Sequence, residues 1–532
     1  MDERMQEERL PIKILRAEGS IENAGILLTP AEPQIGLDET HLMCVNGRGY
    51  IILDFKEELN GSVRILTQVA DGGGCRVRIR TGESVSECCA EEGDRMAGNY
   101  HTLRDAEVLL VMYSDMRFFE TGFRFVRIDF LEEKTVYIKS VMATSFSRKL
   151  QPKGCFRCSD ERVNEIFRVA SRTLMLNMHD YLWDGIKRDR LVWVGDMHPE
   201  TTAIACLFGD DPSIGRSLRY SREHTPLPNW MNRTPTYTAW WLIILHDYYM
   251  QNGRLSFLRE QRAYVDGALR QLNGVVREDG TISRDGSYLF DWPSHGSDDE
   301  TAGIYALWVL AAKKSRSLFK TLGLDVRVCD DMLEKLSRFR RLSVREMKQC
   351  EAFLVYAGVK GAENACSFLT RGGAKGFSTF MSYYILHSIA AAGRADTAVE
   401  LMKQYYGGML DMGATSFWED FDLDWMENSC PVDRLPREGE RDIHGDFGKH
   451  CYVGFRHSLC HGWSCGPIAF LMKSLSGLEI SEAGCRKIRL HPQSGGLDWY
   501  EISYPTPFGN LEINWKNGTK NIRVPDGIEL TD

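Results

Sequence analysis

The chain has 532 residues, more than one hydrophobic core ordinarily organises, so two or three domains are expected. With 43% hydrophobic and 26% charged residues, the composition is that of a folded chain and excludes extended disorder. A formal net charge of −9, with acids and bases interspersed, gives no electrostatic reason to expect nucleic acid as a partner.

The opening residues, MDERMQEERLPIKI, are charged and contain no apolar leader core, and no later stretch is apolar over the length of a membrane span. Together with 15 cysteines in no small-scaffold spacing, this leads us to expect a cytoplasmic protein with reduced thiols and no membrane partner. Up to about residue 150 the pattern is short and extended. YIILDF, VRILTQV, CRVRIR, EVLLVMY, FRFVRIDF and TVYIKSVMA are separated by NG, DGGG and charged turns. These runs predict an N-terminal antiparallel β-sandwich over 1–155.

Near Cys158 the period changes. From Ser159 onward apolar residues recur every three or four positions, and Ser159 is placed as the first helix cap. Helix-like segments then continue to about residue 476, among them TYTAWWLIILHDYYMQNG and ETAGIYALWVLAAKKSRSLFKTLG, several ending in Gly. About a dozen such segments without a fixed sequence repeat predict a ring of helical hairpins, an (α/α)6 barrel over 156–478. From about residue 480 the alternation is again of the β kind, with PTPFG and KNG as turns, which predicts a small C-terminal β-sandwich over 479–532. Cys155 and Cys158 form a CxxC with no second pair at zinc-ribbon spacing, so no metal is expected, and no sequence feature calls for a cofactor. HExxH, Walker A, GxSxG and dinucleotide fingerprints are all missing.

The densest polar stretch is a loop between two helix-like segments, Asp184 to Asp196, followed by His198 and Glu200. Asp184, Asp189 and Asp196 alternate with Lys187, Arg188, Arg190 and Trp193. Cations can hold and tune such carboxyls, and an indole can bound a sugar. A salt-bridged surface loop is the competing reading, but it would need neither Trp193 nor Gly195. A second constellation, Gly413 to Asp422, places Glu419 and Asp420 directly after Phe417 and Trp418. An acid against aromatic walls suits a base that activates water, although a helix N-terminal acid would look similar. In a third, Asp291 and Trp292 precede Asp298, Asp299 and Glu300. The last three read as helix capping and the first two as ligand contacts. In a fourth, His457 to Trp463, His461 can bond a ligand hydroxyl or be a satisfied core histidine.

At these residues the chain resembles glycoside hydrolase family 78, the α-L-rhamnosidases. Asp184, Asp189, Arg190, Leu191, Trp193, Gly195 and Asp196 match the family's main motif in spacing; Gly413 to Glu419 match its Gly-Ala-Thr-x-x-Trp-Glu motif; Ser458 and His461 match its late Ser-x-x-His element. The resemblance implies inverting hydrolysis of a terminal sugar, with Asp189 on the general acid and Glu419 on the general base. Arg188, Trp193, Trp418, Asp291, Trp292 and His461 join Asp184 and Asp196 as substrate-binding candidates, and the partner is a carbohydrate. The family's acid is typically Glu, so Asp189 is one methylene shorter, and Val192 replaces a glycine. These departures keep two other readings open: a six-hairpin hydrolase for a different sugar, and a carbohydrate-binding protein without activity.

Overall fold

A computed structural model describes residues 4–30, 32–36, 40–284 and 286–531. Arg4–Arg9 (β1), Lys13–Glu22 (β2), Met43–Ala70 (β3), Gly74–Gly82 (β4), Asp105–Val111 (β5), Ser114–Phe130 (β6) and Thr135–Arg148 (β7) form one antiparallel sheet. Its order is β1-β7-β3-β6-β4-β5, with β2 also on β3. Alternate residues such as Val45, Ile51, Leu53, Val63, Ile65, Phe123 and Ile128 are wholly buried in its core.

The first two β-like runs prove to be one strand. Asn60-Gly61 is not a turn, because Asn60 pairs with Gly122 and Gly61 with Thr121 and Ser145. A Cβ at Gly61 would lie 2.4 Å from the Thr144 carbonyl oxygen, so glycine here permits close strand approach. The register shifts between Asp54 and Leu59, beside Lys56 in the left-handed region, and again between Gly61 and Val63.

After β4 comes a short helix, Val85–Cys89 (α1), and after β7 a strand, Cys155–Cys158 (β8). The helical region follows: Glu161–Asn177 (α2), Met197–Phe208 (α3), Pro212–Glu223 (α4), Pro235–Asn252 (α5), Leu255–Glu260 (α6) and Arg262–Gly274 (α7). It continues with Glu300–Leu322 (α8), Arg327–Leu336 (α9), Lys348–Tyr356 (α10), Ala362–Thr370 (α11), Ser382–Ala391 (α12), Ala395–Asp411 (α13) and Gly466–Ala469 (α14). The α14 segment runs on into a π-helical turn, Phe470–Ser474. Helix contacts run α3 to α5, α8, α10, α12 and α14, and α14 returns to α3. The middle of α5 is apolar on every side, and Trp240 to Leu245 are all buried there, as an inner helix requires. None of the described helices is long and apolar enough to cross a membrane.

Two capping expectations change. Asp160, not Ser159, caps α2, accepting from the backbone N–H of Arg162 (2.9 Å) and Val163 (3.2 Å). Asp299 accepts from the N–H groups of Arg345, Glu346 and Met347, so its carboxylate serves the segment leading into α10 and not its own helix.

The C-terminal strands form two small sheets. Trp499–Thr506, Gly509–Lys516 and Thr519–Arg523 pair in sequence, and β8 adds to the first of them. The CxxC is therefore a strand whose alternation sends Cys155 outward and Cys158 inward, which keeps the two thiols from sharing a ligand. Glu479–Glu482, Lys487–Arg489 and Glu529–Thr531 make the other sheet.

Candidate active site

The connection from α2 to α3 carries the first acidic constellation. Asp189 and Arg190 are both left-handed (φ 58 and 56), which breaks any helix there and turns the loop back on itself. The Asp184 carbonyl accepts from Gly462 N–H (2.7 Å), Gly185 bridges to His461, and the Asp184 carboxylate accepts from Leu191 N–H (2.9 Å). Two glycines allow close approach. A Cβ at Gly195 would lie 2.3 Å from the Tyr237 ring, and one at Gly462 would lie 1.6 Å from Glu200 Oε1. With glycine present, the Tyr237 hydroxyl reaches Asp196 and donates to Oδ1 at 2.9 Å.

The Glu419 segment is fastened by its backbone. Glu419 N–H donates to the Ser458 carbonyl (2.9 Å), and its own carbonyl accepts from Thr379 Oγ1 (2.5 Å) and Trp463 Nε1 (2.9 Å). Ser458 N–H donates to Glu419 Oε2 at 3.1 Å. Glu419 therefore stands in an irregular loop held from three sides, not at a helix N-terminus.

Arg188 joins the two constellations. Its Nη2 donates to Glu419 Oε1, while its Nη1 lies 3.3 Å from Asp189 Oδ2. Because both carboxylates grip one guanidinium, their nearest oxygens are at most about 8 Å apart. Asp189 Oδ1 also lies 3.1 Å from His101 Nε2, supplied by the N-terminal sheet region. His461 Nε2 sits at the centre, 3.8 Å from Glu419, 3.9 Å from Asp184 and 4.0 Å from Asp196.

Burial governs the electrostatics. It pushes Asp196 up to about 8, aided by the charges of Glu419 and Asp189 and opposed by the Tyr237 hydrogen bond. Burial likewise holds Asp184 and Glu200 well above the carboxylate range, with neighbouring acids adding to it. His461 is driven well below its ordinary value by burial and by Arg188, so it is neutral.

Asp291 and Trp292 stand in an adjoining group. Asp291 accepts from Ser378 Oγ (2.9 Å), and Ser378 precedes the Thr379 that holds Glu419. Burial pushes Asp291 to about 8 and Asp420 to about 7. Trp292 stacks on His450 at 5.2 Å and meets Tyr452 edge-on. Trp193 is half-buried and edge-on to Tyr237 at 6.2 Å. Trp418 is different: at 1% exposure its ring packs edge-on against Phe421 and His457, so it is core that fixes Glu419 and not a sugar-facing wall.

Sequence reasoning missed His101, Tyr237, Thr379 and the role of Glu200. Only Glu200 left a signal, since it follows Asp196 by four positions and so shares its helix face. Lys187 belongs to a separate group. Its ammonium lies 2.9 Å from Glu83 and 3.2 Å from Glu87, and it donates to the carbonyls of Phe455 (2.9 Å) and His457 (2.5 Å). Glu83, Glu87 and His444 are near enough to hold a metal, but the Lys187 ammonium stands at both carboxylates and supplies the positive charge itself.

Residues 151–307 match the family model of the bacterial alpha-L-rhamnosidase 6 hairpin glycosidase domain. No curated protein matches the chain. Among solved structures, the GH78 family rhamnosidase of Bacillus sp. GL1 is similar, with TM-score 0.74 and 20% identity over 95% of this chain and 55% of that one. The rhamnosidase from Klebsiella oxytoca with rhamnose bound gives TM-score 0.69 and 18% identity over 88% and 96%. The α-L-rhamnosidase of Dictyoglomus thermophilum gives 0.73 and 18% over 98% and 58%. This chain thus spans little more than half the length of the Bacillus and Dictyoglomus structures. It has the fold of the GH78 α-L-rhamnosidases, and its residues 151–307 are similar to part of their six-hairpin domain.

Proposed function

We propose that the chain is an exo-acting, inverting glycoside hydrolase that releases terminal α-L-rhamnose or a closely related sugar. The observation that carries this reading is the single guanidinium of Arg188 gripped by Asp189 and Glu419. Their spacing of about 8 Å or less is compatible with the range in which a water fits between base and anomeric carbon. Glu419 is the general base, taking a proton from water as the water attacks the anomeric carbon. Asp189 is the general acid, protonating the glycosidic oxygen as its bond to that carbon breaks. Asp196 is the competing acid, because it holds a proton near neutral pH and bonds no lysine or arginine among the described residues. Asp184, Asp196, His461 and Asp291 present groups that pair with sugar hydroxyls, and Trp193 and Trp292 present apolar ring faces.

The same reading takes the closed cycle of helices as an (α/α)6 barrel over 156–478, with β-sandwiches over 1–155 and 479–532. The test is a panel of p-nitrophenyl glycosides with the product anomer followed by NMR. Fastest release from the α-L-rhamnoside, with β-L-rhamnose as first product, is expected. Fastest release from another glycoside would move the substrate, and no release from any member would leave only carbohydrate binding.

A further inference from the structure

A cavity of about 550 Å³ opens at the end of the helical ring away from the acidic cluster, where helices meet the C-terminal strands. It shares helix α3 with the acidic cluster: Glu200 faces one end, and Thr201, Thr202 and Ala205 line the other. Its charges are unbalanced. Lys314 bonds Asp247, which also binds His198 (3.2 Å) and His246 (2.8 Å), so that acid is fully engaged. Glu479 faces Arg489 at 3.5 Å. Lys473 has no ion pair or hydrogen bond among the described residues. Burial pulls its pKa down, yet Tyr383, Cys206 and Asp247 carry it above the ordinary lysine value, so it remains an ammonium. Lys473 is half-buried, and an ammonium that lines a cavity with no partner from the protein is open to an anionic one.

The backbone points the same way. Lys473 and Ser474 lie on the π-helical turn Phe470–Ser474, a rare geometry that re-aims side chains and recurs at functional sites. Ser474 Oγ bonds His387 Nδ1 at 2.9 Å, and burial drives His387 to about 4, so it is a neutral imidazole facing the cavity.

We propose that this cavity binds a small molecule bearing an oxyanion, a carboxylate or a phosphate, whose counter-charge is Lys473. The site is separate from the carbohydrate site and does not rest on the hydrolase reading.

The test is calorimetric titration of the whole protein with inorganic phosphate and, separately, acetate, in chloride buffer at constant ionic strength. Saturable binding of at least one anion is expected, with Kd on the order of 1 mM. Which anion saturates distinguishes a phosphate ligand from a carboxylate ligand. Lys473→Met should weaken binding at least about tenfold. Ser474→Asp, which places a carboxylate beside Lys473, should do the same and decides the matter if Lys473→Met does not fold. Glu419→Gln should leave binding unchanged. Absence of saturable heat with both anions, binding that survives Lys473→Met or Ser474→Asp, or binding lost on Arg188→Met would each overturn the proposal.

Discussion

Two groups of buried acids lie side by side in this molecule and are managed in opposite ways. Glu83 and Glu87 close around the ammonium of Lys187, with Leu459 N–H adding a 2.6 Å bond to Glu83. Asp184, Asp196 and Glu200 are as deeply buried, yet among the described residues no lysine or arginine bonds any of them, and burial holds all three above the carboxylate range. Both groups draw on one loop, through Lys187 on one side and Asp184 and Asp196 on the other. A buried acid that serves the scaffold is closed by its own cation. Burial raises Glu83 to about 7 even beside Lys187, and Glu419 and Asp189 share Arg188, so what sets Asp184, Asp196 and Glu200 apart is that no cation among the described residues bonds them.

The sharpest way to break this comparison is Glu419→Gln. As the proposed general base it has no substitute, so kcat should fall by on the order of 10³-fold or more on every glycoside that the wild type cleaves. Lys187→Met probes the framework side. It strands Glu83 and Glu87 without a cation and should cost about 3–5 kcal/mol in urea unfolding. A loss under about 1 kcal/mol would mean that those acids are not held by Lys187.

Asp189→Asn sharpens the assignment of roles. It should lower kcat about 10²-fold on unactivated glycosides and much less on nitrophenyl glycosides, whose leaving group departs without protonation. Equal losses on both would transfer the acid role to Asp196. A further effect is expected on stability against pH. Asp196 is raised in the folded state to about 8, so it favours folding below the ordinary carboxylate pKa and loses that contribution as pH rises through 8. Asp196→Asn removes this dependence. Relative to wild type, its stability should rise between pH 4 and pH 8 by up to about 5 kcal/mol, the linkage of a carboxyl raised from 3.8 to about 8. A constant difference across that range would show that Asp196 is ionised in the folded protein.

Much of the fold was legible because periodicity and turn chemistry are local. The shift from alternation to helical spacing near Cys158, and back near residue 480, needs only neighbouring side chains to be read. The Asp184 to Asp196 and Gly413 to Glu419 constellations were legible for a similar reason, since each lies within a dozen or so residues. Errors arose where a local signal had a distant cause. Asn60-Gly61 looks like a turn but is glycine under a neighbouring strand; Asp299 looks like a cap for its own helix but caps another.

By itself, then, the sequence determined the order of β and helical regions, the two acidic loops and their likeness to the rhamnosidase motifs. Only the tertiary structure decided that Arg188 meets Glu419 across 231 residues, that His101 of the sheet region reaches Asp189, and that β8 joins the C-terminal strands. It also decided which acids keep a cation and which do not. Periodicity is set by a residue's neighbours in the chain, whereas ion pairing and desolvation are set by its neighbours in space.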